Sequence, residues 1–102
     1  MKKENSNSTL EVWKHTVQYG SQTVYVDPGA IFLIGSFTVV NNELVIYSLG
    51  YRGGHTRREE RTVKVVFTGQ NLDNDDSEYI YLGTVNHHDG LVYHAFVREE
   101  KQ

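Results

Sequence analysis

Turn signals recur along this chain at spacings too short for ordinary helices. Gly20-Ser21, Asp27-Pro28-Gly29, Asn41-Asn42 and His88-Asp89-Gly90 separate short runs rich in Val, Ile, Thr and Tyr. Within the runs apolar and polar residues tend to alternate, and no stretch carries an apolar stripe of period 3.6. The runs predict strands over Glu11 to Gln18, Thr23 to Asp27, Ala30 to Val40, Glu43 to Leu49, Thr62 to Thr68, Glu78 to Asn86 and Leu91 to Val97. In the first, Trp13, His15, Val17 and Tyr19 fall on one side. The third is long and apolar, with a kink or bulge expected at Gly35. In the fifth, Val63, Val65 and Phe67 are expected inward and Lys64 outward. Asn41-Asn42 suits the left-handed positions of a tight hairpin, and Asp89-Gly90 is a second hairpin signal.

The fold class implied is all-β: a single small antiparallel β-sandwich or partly open barrel of about seven strands. Residues 1–10 are expected to form a flexible N-terminus and 11–98 one β-rich domain. One place admits a helical turn, Thr56 to Arg61, because Thr56 followed three residues on by Glu59 resembles a capping box.

Composition enters as a set of exclusions. At 38% apolar residues only a thin core is available, and the large rings of seven Tyr and four Phe must supply part of it. With no Cys, neither disulfides nor thiolate metal sites can support the fold. Met1 to Thr9 has no apolar core region, so it is not expected to be a signal peptide. No apolar run reaches membrane-helix length, so no membrane is expected as a partner. A net charge of −3 argues against a protein that wraps a nucleic-acid polymer by bulk electrostatics.

The charge is nevertheless unevenly placed. Arg52, Arg57, Arg58, Arg61 and Lys64 are half of the ten Lys and Arg residues. They gather in and beside a loop that also holds Tyr51, Gly53, Gly54 and His55. Glycines let a backbone approach a ligand closely, and arginines present planar forks suited to phosphate. The loop is not a P-loop, since the Gly-Lys-Ser/Thr ending is missing. Its alternative reading is a solvated loop whose charges pair locally, Arg57 or Arg58 with Glu59 or Glu60. Tyr51 and Trp13 are the rings best placed to stack on a base, at about 1–3 kcal/mol per base. His94 can donate to a phosphate or base edge, or simply be a packed, hydrogen-bonded histidine. His87-His88-Asp89 reads as a turn, Asp73 to Asp76 as an acidic loop, and no metal or other cofactor is expected. No nucleophile elbow or metalloprotease motif appears, so the chain is not expected to be an enzyme.

Several segments recur in the order seen in a small family of phage-encoded β-rich proteins. They are Val12-Trp13-Lys14-His15, Val26-Asp27-Pro28-Gly29-Ala30-Ile31 and Phe67-Thr68-Gly69-Gln70. Tyr81-Leu82-Gly83-Thr84-Val85 and Gly90-Leu91-Val92-Tyr93-His94-Ala95-Phe96 follow. Over residues 12–97 the chain resembles that family, which overlaps the phage sponge proteins that capture cyclic nucleotide immune signals, including those of CBASS systems. Phe67 stands where the family has the first glycine of a Gly-Thr-Gly segment, and Arg52 to Arg61 lies outside the shared pattern. The resemblance implies an anti-defence protein of the infected host's cytoplasm. Such a protein binds a small cyclic nucleotide without cleaving it, as a homo-oligomer (dimer or tetramer). The candidate ligand residues, read from their chemistry in this chain, are Trp13, Tyr51, Arg52, Gly53, Gly54, His55, Arg57, Arg58 and His94. The other reading is a protein-interaction or virion accessory module with no nucleotide ligand.

Overall fold

The computed structural model describes residues 10–51, 58–70, 78–87 and 89–98. The strands are β1 (Leu10–Val17), β2 (Gly20–Val26), β3 (Ile31–Phe32), β4 (Thr38–Val40), β5 (Glu43–Tyr51), β6 (Glu59–Phe67), β7 (Tyr79–Asn86) and β8 (Val92–Arg98). They form two antiparallel four-stranded sheets, and no helix occurs among the described residues. In the first sheet β5 is central, with β1 on one side and β3 and β4 on the other. The second runs β2-β6-β8-β7. The fold is therefore an all-β sandwich.

Where the strands differ from expectation, backbone hydrogen bonds explain why. The long strand expected over Ala30 to Val40 is two short ones. Gly35, with φ +83, turns the chain between them. Leu33 N–H donates to the Tyr47 carbonyl (3.0 Å), Ser36 N–H to the Leu33 carbonyl (3.1 Å), and the Ser36 hydroxyl accepts from Tyr47 N–H (3.1 Å). The helical turn expected over Thr56 to Arg61 is not formed at Glu59–Arg61, which is extended because β6 pairs with β2 as far as Glu59 opposite Val26. Thr56 and Arg57 lie outside the described residues, as do residues 1–9 and 71–77. Leu10, counted with the flexible N-terminus, is already in β1 opposite Tyr51. The Asn41-Asn42 hairpin is present, both residues having positive φ, and joins β4 to β5.

The inner faces follow the period-two pattern. Val63 and Val65 of β6 and Ala95 of β8 are fully covered, and Val97 of β8 is buried. Leu82 and Val85 of β7, Val24 and Val26 of β2, and Leu44 and Ile46 of β5 join them in one cluster with Val17 and Phe37. Lys64 is an exception to the expected pattern. Alternation puts it on the outer face, but it is buried there, its ammonium 5.9 Å from the Tyr79 ring centre. Long side chains cover neighbouring rings with their stems. Tyr19, just beyond β1, stacks on Phe67 at 4.3 Å.

At one point the two layers meet through the backbone. A register shift in β7 between Tyr81 and Gly83 leaves Leu82 unpaired with β8, and its carbonyl accepts the Gly35 N–H at 2.8 Å. Gly83 has φ +148, and a Cβ there would sit 3.0 Å from Phe37 Cβ. Gly35 has no atom within 4 Å of an added Cβ. Gly83→Ala combines a disfavoured dihedral with a clash and should cost about 2–3 kcal/mol. That corresponds to a fall in Tm of roughly 10 °C. Gly35→Ala carries the dihedral strain alone and should lower Tm by less than half as much in thermal denaturation. Equal losses would mean that the contact with Phe37 contributes nothing.

Candidate functional site

Beside Ser48 of β5 lies a small cleft of about 20 Å3, partly open to solvent. Its position depends on the Asp27–Ala30 turn. Ala30 N–H donates to the Asp27 carbonyl at 3.0 Å, with Gly29 at φ +79. Gly50 lets this turn lie close to β5, since a Cβ on it would be 3.2 Å from Ala30 Cβ. Arg61 ties the turn to β6: Nη1 donates to the Ala30 carbonyl (3.2 Å) and Nη2 to Glu59 Oε1 (2.7 Å). The same Glu59 oxygen accepts the Gly29 N–H at 3.3 Å.

The cleft is lined mostly by apolar surface, with one neutral polar pair, His15 and Ser48, among it. Trp13 and His15 lie opposite Ser48 and Ile46 in the β1–β5 ladder, so their side chains share the inner face. His15 Nε2 is 2.8 Å from Ser48 Oγ, and the imidazole leans on Phe32 with ring centres 5.8 Å apart. Ser48 is 1% exposed. Burial, and then the charge of Arg58, lower the His15 pKa, so the ring is neutral at pH 7.

The rim carries rings and charges. Trp13 is 42% and Tyr25 55% exposed. The Arg58 guanidinium carbon stands 6.0 Å from the Trp13 ring centre, the outer limit of a cation–π contact. Its Nε is 3.6 Å from Asp27 Oδ1, an ion-pair contact too long for a hydrogen bond. Asp27 is largely covered, at 12%, whereas the Arg58 side chain is 55% exposed. Arg58 is therefore held only by a long ion pair and a ring contact at the outer limit.

Of the residues singled out in sequence, the structure brings Trp13 and Arg58 together. Tyr51, three positions on from Ser48, points to the opposite face of the first sheet and is exposed. Arg52, Gly53, Gly54, His55 and Arg57 lie outside the described residues. His94 is far from the cleft in topology, on the outer face of the second sheet. Its Nε2 is 2.7 Å from Thr68 Oγ1 and its Nδ1 2.9 Å from Thr84 Oγ1, which in turn contacts the Tyr81 hydroxyl. Both ring nitrogens of His94 are thus within hydrogen-bonding distance of threonine hydroxyls. Asp89 forms the expected turn, accepting Leu91 N–H (2.9 Å) and the Tyr93 hydroxyl (2.8 Å), and His88 lies outside the described residues. That bond raises the Tyr93 pKa.

Sequence reasoning missed His15, Ser48, Tyr25 and Asp27 as cleft residues. The alternation placing His15 beside Trp13 was a usable signal. Nothing local marked Ser48, a small hydroxyl in an apolar strand. No cluster of His, Asp or Glu among the described residues could hold a metal, and no helix there could cross a membrane.

Residues 8–102 match the model of DUF7352, a domain of unknown function. The chain belongs to this family. No curated protein and no solved structure matches this DUF7352 chain.

The neutral His15 sets a pH dependence. Its folded-state pKa lies below the usual value, so as pH falls through about 6.5 the unfolded chain takes up the proton first and stability declines. The loss stops growing once the folded-state pKa is passed. Denaturant midpoints measured at about pH 7.5 and 5.5 should fall more for the wild type than for His15→Gln, which removes the titration. An identical fall in both would show that His15 does not contribute.

Proposed function

We propose that this DUF7352 protein is a non-catalytic binder that captures a small nucleotide in the cleft of Trp13, His15, Ser48 and Arg58. The observation that carries the reading is Arg58, held by a long ion pair beside the only Trp in the chain, at a small cleft that also holds the neutral His15–Ser48 pair. A ring face for a base, a planar cation for a phosphate and a neutral hydrogen-bonding floor are the parts nucleotide recognition uses. Among nucleotides, the resemblance to phage sponges selects a cyclic nucleotide immune signal such as a cyclic dinucleotide. The role is then anti-defence sequestration in the cytoplasm of the infected cell. Binding rather than cleavage is assigned to the His15–Ser48 pair because Ser48 is too covered to attack a bulky phosphodiester.

A second reading is favoured by a separate surface. On the outer face of the first sheet Val12, Leu49 and Ile31 form one cross-strand row and Leu10 and Tyr51 the next. Leu10, Val12, Ile31 and Tyr51 are each at least half exposed. Adjacent exposed apolar rows mark protein contacts, either between copies of this chain or with a virion or host protein.

Calorimetry against cyclic di- and trinucleotides and ADP-ribose isomers should find a ligand binding tighter than about 10 μM. Arg58→Ala should weaken it at least tenfold, about 1.4 kcal/mol, with Tm little changed. Ligand recovered after heat denaturation should be intact. Failure of the whole panel, or recovery of a cleaved product, sinks the capture reading. A nucleotide-free complex in a pull-down would favour the interaction module.

A further inference from the structure

We propose that β1 is an open strand edge that takes up β1 of a second copy, the two strands pairing antiparallel about a two-fold axis at Trp13. The inference does not depend on nucleotide capture, since it uses the free edge of the strand and not the cleft.

Which backbone groups of β1 are open follows from Tyr47 of β5. Its N–H donates to Ser36 Oγ and its carbonyl accepts the Leu33 N–H, so both groups face the β3–β4 side. Tyr47 stands opposite Lys14, and bonded and non-bonded pairs alternate along an antiparallel ladder. Glu11, Trp13, His15 and Val17 are therefore the residues bonded to β5. Leu10, Val12, Lys14 and Thr16 turn their N–H and C=O groups outward, and among the described residues β1 pairs only with β5.

The other outer strands are blunted in ways that β1 is not. β3 and β4 are two and three residues long. β7 carries the register shift between Tyr81 and Gly83, with the Leu82 carbonyl bonded to Gly35. At the start of β2 the Gln22 side chain folds back on the backbone of Gln18 and Gly20. β1 runs for eight residues in unbroken register without Pro or Gly, and Val12, Trp13, Lys14 and Thr16 along it are exposed. A long, regular edge of this kind is a template for another strand.

The order of residues along the edge suits a second copy of itself. A two-fold axis normal to the sheet and centred on Trp13 sets Leu10 opposite Thr16 of the second copy, and Val12 opposite Lys14. All four outward-facing residues of each strand then bond across the axis. A centre at Lys14 would place like charges opposite each other, which is destabilising. A centre at Val12 would leave Thr16 beyond the end of the facing strand. At the Trp13 centre the two indoles meet in a non-bonded pair, where opposite side chains come closest.

Sedimentation velocity at roughly 100 μM should show a dimer, because an interface with a Kd of about 10 μM is mostly filled there. Trp13 is the only Trp, and its emission should shift to the blue as concentration rises through the same range. Lys14→Pro removes an outward N–H and no bond to β5, so it should sediment as a folded monomer. Val12 is more than half exposed, so a charge there tests the register without touching the core. Val12→Lys faces Lys14 of the second copy at two symmetric places and should weaken the dimer about tenfold or more. Val12→Glu should hold it at least as tightly as the wild type. A wild type that stays monomeric refutes the pairing. So does a dimer that withstands Val12→Lys, or one that the Lys and Glu substitutions weaken equally. If Lys14→Pro does not fold, the two Val12 variants decide.

Discussion

Everything in this sandwich depends on how closely its two layers can approach, and that distance is set at Gly83. With no side chain there, β7 comes near enough to Phe37 for the Leu82 carbonyl to take the Gly35 N–H. A buried backbone carbonyl left by the bulge would otherwise lack a partner, at a cost of about 1–3 kcal/mol. The bulge, the turn at Gly35 and the split of one expected strand into β3 and β4 are one arrangement. Small residues at the inner face, Ala95, Val63 and Val65, extend the close contact along the second sheet. A thin core is sufficient because the layers it must fill are close.

The cleft is the converse of that contact. β4 packs beside Glu43–Val45 of β5, where the layers are closed, and the cleft begins at Ser48, further along the same strand. There the Asp27–Ala30 turn, fixed by Arg61 and Glu59, lies close against Gly50 of β5. Arg61 is mostly covered and makes its bonds inside the structure, whereas Arg58 is exposed and loosely paired. Two arginines three residues apart thus stand differently: Arg61 fixes the turn beside the cleft and Arg58 lies at its rim. Burial first, and the charge of Arg58 second, lower the His15 pKa.

Much of the fold was legible. Alternation and turn residues located the strands, the Asn41-Asn42 hairpin and the Asp89 turn, because those features depend on neighbours in the chain. The broken strand at Gly35 was legible only as an irregularity, since its extent depends on Tyr47 and Leu82, remote in sequence. Of the site, Trp13 and Arg58 were visible as residue types suited to a nucleotide. His94 drew attention for the same reason, and its two threonine partners lie on other strands or beyond them.

By itself the sequence determined an all-β chain with a small core and a basic, aromatic segment between two apolar runs. It did so because strand propensity, period and turn chemistry are local properties. Which residues of that segment meet Trp13, and that a serine in an apolar strand pairs with His15, was decided only in the tertiary structure. The β1–β5 register sets Trp13 opposite Ser48, and the turn at Asp27 brings Arg58 to the rim. Contacts between strands far apart in sequence have no local code, and the candidate site is made almost entirely of such contacts.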